Sequence, residues 1–244
     1  MSITASSLYR DTIHFFRYQI YNIIFMALFI SVVTIIISQI LTLDQEYLIS
    51  LKQANDSAHS LFEFIQKLSP AQYVILLRAS AMGTFAALIG NTLLLGGMIY
   101  LIISASQGEQ VSSFSAITLS IPLLPKLLLQ TFLITLIVQL GFMILIFPGI
   151  ILITLLSLAP IILKNQNISV IDSLYASISL VSDNIKLIMP AILMWLLMKI
   201  IIIIIFFFLI GIPVIISLIL LNMLSNLAYA ILIIYLYRLY MLLH

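Results

Sequence analysis

Between Lys126 and Lys164 the chain runs from Leu127 to Leu163 without a single Lys, Arg, Asp, Glu or His. No water-soluble domain can be built around an uncharged, mostly apolar stretch of that length, because a soluble surface needs polar residues at every turn. The rest of the chain follows the same rule. Of 244 residues, 10 are Lys or Arg and 8 are Asp or Glu, a charged share of 7%, where an average soluble domain carries about 25%. Hydrophobic residues make up 64%, and the mean hydropathy is +1.29. The bilayer must therefore be the solvent. A soluble enzyme, a nucleic-acid binder and a disordered chain are all excluded.

A hydrocarbon core about 30 Å thick takes about 20 apolar residues in a helix. Six segments meet or approach that length: Ile20–Leu43, Gly83–Ser104, Leu123–Phe147, Pro148–Leu163, Leu187–Ile210 and Pro213–Tyr237. Phe147-Pro148-Gly149 is the expected turn between the third and fourth, and Gly211-Ile212-Pro213 that between the last two. The expected fold is all-α: a polytopic helical membrane protein with six transmembrane helices and surface amphipathic helices, five spans being the alternative count. Residues 1–244 form one integral membrane domain. The first apolar run is longer than a signal-peptide h-region and is expected to stay as a span.

Lys and Arg near span ends set the orientation. With the N-terminus inside, Arg10, Arg17, Lys126, Lys164, Lys186 and Arg238 are all cytoplasmic. Lys52, Lys67 and Arg78 fall outside, beside Asp44, Glu46, Asp56 and Glu63. Both termini are thus expected in the cytoplasm. Residues 44–82 should form an extracytoplasmic helical cap, with an amphipathic stretch over Ser57–Leu68. Ser69-Pro70-Ala71-Gln72 reads as a capping box with Pro at the first helical position. The helix it opens, running toward Ser104, is too long for one span, so its first turns should project.

Two cytoplasmic surface helices complete the layout. Over residues 1–19 and into the first span, Tyr9, Ile13, Phe16 and Ile20 suggest an apolar stripe, with Arg10, His14 and Arg17 beside it at i, i+4, i+7. Such a stripe suits an anionic leaflet, each basic residue contributing about 1 kcal/mol. Between Val170 and Ser182, capped by Ser169, the expected apolar face is Ile171, Leu174, Ile178 and Val181, with Ser173 and Ser177 elsewhere. In the second span Gly83, Ala87, Gly90 and Gly97 form a small-residue stripe that marks it as the central packing helix. Pro125 to Pro148 and Pro190 to Pro213 have equal separations, compatible with an old duplication.

Lys199 is the one charge near the middle of a span, about 20 Å along its helix from Lys186. A Lys at that depth costs at least about 2.5 kcal/mol and marks a functional site by default. It could meet a lipid phosphate or an anionic substrate, or it could snorkel or bond backbone carbonyls near a proline. No Asp or Glu occurs in any span to pair with it. Asn91, Gln139, Asn222 and Asn226 are expected as interhelical hydrogen-bond partners. Lys199, Arg10 and Arg17 are the candidate lipid or anion contacts.

The chain has no Cys, and its three His (His14, His59, His244) are far apart. No metal and no cofactor are expected. HExxH, GxSxG and Walker-type loops are missing, so no catalytic residue and no enzymatic activity are expected. Membrane lipids are the expected partners, and nucleic acid is not.

Several motifs carry a family resemblance. They include Leu8-Tyr9-Arg10-Asp11-Thr12, Leu124-Pro125-Lys126, Pro148-Gly149-Ile150-Ile151, Leu158-Ala159-Pro160, Leu224-Ser225-Asn226 and the close Ile234-Tyr235-Leu236-Tyr237-Arg238-Leu239-Tyr240. Together they resemble YciC, an uncharacterised family of multi-pass inner-membrane proteins of enteric bacteria, over nearly the whole chain. The Pro-Gly, Ala-Pro and Ser-containing helix of the middle are also similar to bacterial membrane domains sometimes fused to glycerophosphodiesterases. The resemblance implies an inner-membrane location and brings no activity with it. Two readings follow: a non-enzymatic protein of membrane or lipid homeostasis, or a transporter of a small solute or lipid.

Overall fold

The computed structural model describes residues 5–41, 68–208 and 213–243. Most of the expected cap, including residues 57–67 and the charged Lys52 and Lys67, lies outside them, as do Gly211 and Ile212. The helices are α1 (Ala5–Tyr18), α2 (Ile20–Leu41), α3 (Pro70–Ser106), α4 (Ser113–Ser120), α5 (Leu124–Ile144), α6 (Ile146–Leu155), α7 (Ala159–Gln166), α8 (Val170–Asp183), α9 (Ile185–Phe208) and α10 (Val214–Leu243). Among the described residues six segments are long and apolar enough to cross a membrane, with α4–α5 and α6–α7 each counted as one.

The capping box at the start of α3 forms as read. Gln72 N–H donates to Ser69 Oγ at 3.3 Å, and Ser69 N–H donates to Gln72 Oε1 at 2.9 Å. With 37 residues, α3 is about 55 Å long, and its buried residues begin only at Ala86. The first turns therefore extend beyond the packed bundle. From Ala86 onward α3 packs against α2, α4, α5 and α10. A Cβ on Gly90 would collide with Thr34 of α2, and one on Gly97 would lie 2.9 Å from Met26 Sδ. Gly83, at the other end of the stripe, has nothing within 4 Å.

Asn226 crosslinks α10 to α2, donating to Ala27 O at 3.3 Å and Ser31 Oγ at 3.0 Å. Its expected companions behave differently. Asn222 donates to Leu218 O in its own helix, while Asn91 and Gln139 are exposed on the bundle surface. A side chain in lipid-facing helices finds its own backbone as readily as a neighbour, so periodicity does not decide between them.

Three sequence expectations are corrected. The turn between the third and fourth spans sits at Leu145, in an extended conformation, and not at Phe147-Pro148-Gly149. Pro148 falls in the first turn of α6, where its missing N–H has no intrahelical partner to lose. Gly149 instead closes the hairpin: a Cβ on Gly141 would lie 3.1 Å from its Cα, and one on Gly149 would lie 2.5 Å from the Phe142 ring.

The second correction concerns α1. Its buried face is Leu8, Thr12 and Phe15, and Ile13 is 49% exposed. Docking on α10 sets that face: the Tyr9 and Tyr235 rings are 5.0 Å apart, and the Arg238 guanidinium lies 5.6 Å from the Phe15 ring. Arg10, His14 and Arg17 remain exposed together, as the i, i+4, i+7 spacing requires.

The third concerns Val181 of α8, expected on one face with Ile171 and Ile178 but turned inward with the serines. Ser173, Ser177 and Val181 are fully buried, whereas Ile171 is 60% and Tyr175 70% exposed. Ser173 accepts from Gln130 Nε2 at 2.7 Å, and Ser177 Oγ donates to Leu155 O at 2.7 Å. Lipid outside rewards apolar side chains, while the polar groups of α5 and α6 are inside. The two proline pairs also differ in place, Pro125 opening α5 and Pro190 lying within α9.

Candidate intramembrane site

The fourth crossing is not one helix. It breaks over Leu156–Leu158, between α6 and α7, where Pro160 cannot continue the hydrogen-bond ladder of the preceding turn. Exposed backbone at that depth costs several kcal/mol per unsatisfied group, and here side chains cover part of it. Ser157 Oγ donates to Thr154 O at 2.7 Å, and Ser177 of α8 covers Leu155 O.

Beside the break lies a cavity of about 170 Å³ walled by α3, α5, α6, α7, α9 and α10. Most of its lining is Leu and Ile; its polar groups are Asn91, Thr131, Thr135, Ser157, Tyr229 and Lys199, with the indole of Trp195. Lys199 and Trp195 are one helical turn apart on α9, so the long Lys side chain folds back over the ring, its Nζ 4.4 Å from the centroid. Such a cation–π contact contributes about 0.5–2 kcal/mol, short of the cost of the buried ammonium. Tyr229 of α10 packs against the same indole, with 5.9 Å between centroids and the rings tilted by 44°.

The Thr135 and Ser157 hydroxyl protons are committed to backbone carbonyls, Thr131 O at 2.7 Å and Thr154 O, so neither can donate to a ligand. Thr131 Oγ1 joins Thr92 Oγ1 at 2.8 Å, which ties α3 to α5 at this level. By contrast, Trp195 Nε1 is buried with no partner, and among the described residues no acidic side chain pairs with Lys199. An ammonium, an indole N–H and an exposed Asn amide, with no carboxylate opposite, suit an anionic group.

Of the three sequence candidates, Lys199 lines this cavity, whereas Arg10 and Arg17 do not. They lie exposed on α1, on the bundle end that carries the termini. A smaller crevice under α1, lined by Tyr9, Thr12, Met198 and Tyr235, shares Trp195 and Leu232 with the main cavity. Burial there pushes the Tyr9 hydroxyl above its ordinary pKa. Trp195, Tyr229 and Ser157 were not anticipated. The i, i+4 spacing of the chain's one Trp from its one mid-span Lys was the signal available.

A helical bundle with a cationic cavity at mid-span beside a discontinuous helix defines a polytopic α-helical membrane protein. The model of an uncharacterised protein family, UPF0259, matches residues 1–242. The UPF0259 membrane protein of Yersinia pestis (strain Pestoides F) is 41% identical over 248 residues, covering 100% of this chain and 97% of the relative. That of Yersinia pseudotuberculosis serotype IB (strain PB1/+) is likewise 41% identical over the same coverage. The chain belongs to the UPF0259 family, the one to which the YciC resemblance pointed. No solved structure matches it.

Proposed function

We propose that this protein is a non-enzymatic bacterial inner-membrane protein that holds an anionic, phosphate-bearing lipid in the cavity around Lys199, and so acts in membrane or lipid homeostasis. The observation that carries this reading is an ammonium with no acidic partner among the described residues, set beside the Trp195 and Asn91 N–H groups in a mostly apolar cavity. A phosphodiester headgroup would supply the negative charge. Cytoplasmic termini are supported by Arg10, Arg17, Lys126, Lys164, Lys186 and Arg238, all on one side of the spans. On that face the exposed Arg10–His14–Arg17 stripe would rest on anionic headgroups.

Native mass spectrometry of protein gently extracted from its membrane tests the reading. A retained anionic phospholipid is expected on the natural protein and on Lys199→Arg, and at least about tenfold less on Lys199→Leu, since loss of a buried charge pair exceeds 1.4 kcal/mol. Equal retention by Lys199→Leu would overturn it. The second reading, a lipid or small-solute transporter, draws on the break between α6 and α7, because discontinuous helices line the sites of many transporters. Headgroup exposure of a labelled anionic lipid across proteoliposomes would separate carriage from holding.

A further inference from the structure

We infer that the seam between α3 and α5 is the path by which the headgroup of an outer-leaflet anionic lipid reaches Lys199, its acyl chains remaining in the bilayer. The inference rests on the lipid-holding reading and adds the leaflet and the route.

A second groove, of about 290 Å³, runs between α3 and α5 and shares Leu88 and Thr135 with the Lys199 cavity. It extends to Ala81, Thr84 and Gln139. These lie toward Pro70, where α3 begins, and Ile144, where α5 ends, which is the bundle end remote from the termini. Along α5, Thr131, Thr135 and Gln139 stand at i, i+4 and i+8, one polar rung per turn on a single face. On α3, Thr84 and Asn91 stand two turns apart on the facing side.

The rungs also differ in what they have free. Thr84 Oγ1 donates to Ser80 O and Thr135 Oγ1 to Thr131 O. The amides of Gln139 and Asn91 are exposed and make no hydrogen bond among the described residues. A free amide facing hydrocarbon is costly, and two placed along a groove that ends at a cation make a ladder for a polar, negatively charged group. Phe85, Phe132 and Leu136 line the groove between them, apolar surface against which acyl chains can lie. Toward the termini the same seam is shut, by the Thr92–Thr131 hydrogen bond and by Leu127, which is fully buried. The path therefore leads to Lys199 from one side, the extracytoplasmic one on the topology proposed above.

The chain has no natural Cys, so single-cysteine variants report access directly. Thr135→Cys and Gln139→Cys would be treated in spheroplasts with membrane-impermeant methanethiosulfonates, one anionic and one cationic. Both positions should react from outside. At Thr135→Cys the anionic reagent should be faster by about tenfold, as expected for attraction by a single fixed charge in a low-dielectric cleft. Combining it with Lys199→Gln should abolish that preference, and adding short-chain phosphatidylglycerol should slow the reaction where phosphatidylcholine does not. No reaction at Thr135→Cys from outside, reaction only from the cytoplasmic side, or a charge preference that survives Lys199→Gln would each overturn the route. Native mass spectrometry distinguishes the two readings. Lipid retained with an unreactive seam sinks the route alone, and a reactive seam with no lipid retained sinks lipid holding.

Discussion

Ser177 on α8 donates its hydroxyl to the carbonyl of Leu155, the last residue of α6, at 2.7 Å. One surface helix thus covers backbone that the broken fourth crossing leaves open. Ser177→Ala is expected to lower stability by about 1–2 kcal/mol, the cost of a buried carbonyl left without a donor. Ser182→Ala, which removes only an exposed bond to Ile178 O on the same helix, should leave it unchanged. Thermal unfolding in detergent compares the two, and equal midpoints would show that the α8–α6 bond carries no weight.

The glycines of α3 and α5 make a graded prediction. Gly90→Ala drives a methyl into Thr34 of α2, and Gly141→Ala puts one 2.6 Å from Leu152 Cδ1 and 3.1 Å from the Gly149 backbone. Each should cost about 1–3 kcal/mol through forced separation of packed helices. Gly83→Ala meets open space and, by helix propensity, should stabilise by up to about 1 kcal/mol. A guanidinium- or SDS-unfolding series that ranks the three otherwise would contradict the packing described.

Asn226 joins α10 to α2 through Ser31 and Ala27. Asn226→Leu and Ser31→Ala should each cost about 0.6–1.7 kcal/mol, the measured range for such bonds in membrane bundles. The double variant should cost less than their sum, because both remove one interaction. Strict additivity would mean that the bond is not made in the bilayer.

The chain's one Trp stands against Lys199, so its fluorescence reads the cavity without a label. A brominated anionic phospholipid should quench Trp195 at lower mole fraction than its zwitterionic analogue. That advantage should vanish in Lys199→Leu and persist in Lys199→Arg. Equal quenching by both lipids in the natural protein would count against an anion-selective site.

How much of this was legible in the sequence follows from what a bilayer does to a helix. Span number and the α3 capping box depend on run length and local chemistry, so Ser69 to Gln72 and the long apolar runs gave them directly. Which face a helix buries was not legible. In α3, α5, α9 and α10 apolar residues occur all round, and the usual polar–apolar contrast that orients a helix is lost. On α8 the contrast exists and Ile171 and Ile178 do face outward, but nothing in the spacing shows that Ser173, Ser177 and Val181 are the residues packed inward. Lys199 was visible because a charge in a span is conspicuous on any face. Tyr229, Asn91 and Ser157, which share its cavity, come from α10, α3 and the break between α6 and α7, and only the packing of the bundle brings them together.

The break at Leu156–Leu158 has one more consequence, for biogenesis. With 10 and 8 residues, α6 and α7 rise about 15 Å and 12 Å, each around half of the hydrocarbon thickness. Together they form one apolar segment of 21 residues, long enough to enter the bilayer as a single span. The break within it would then form after insertion, as α8 brings Ser177 to the Leu155 carbonyl.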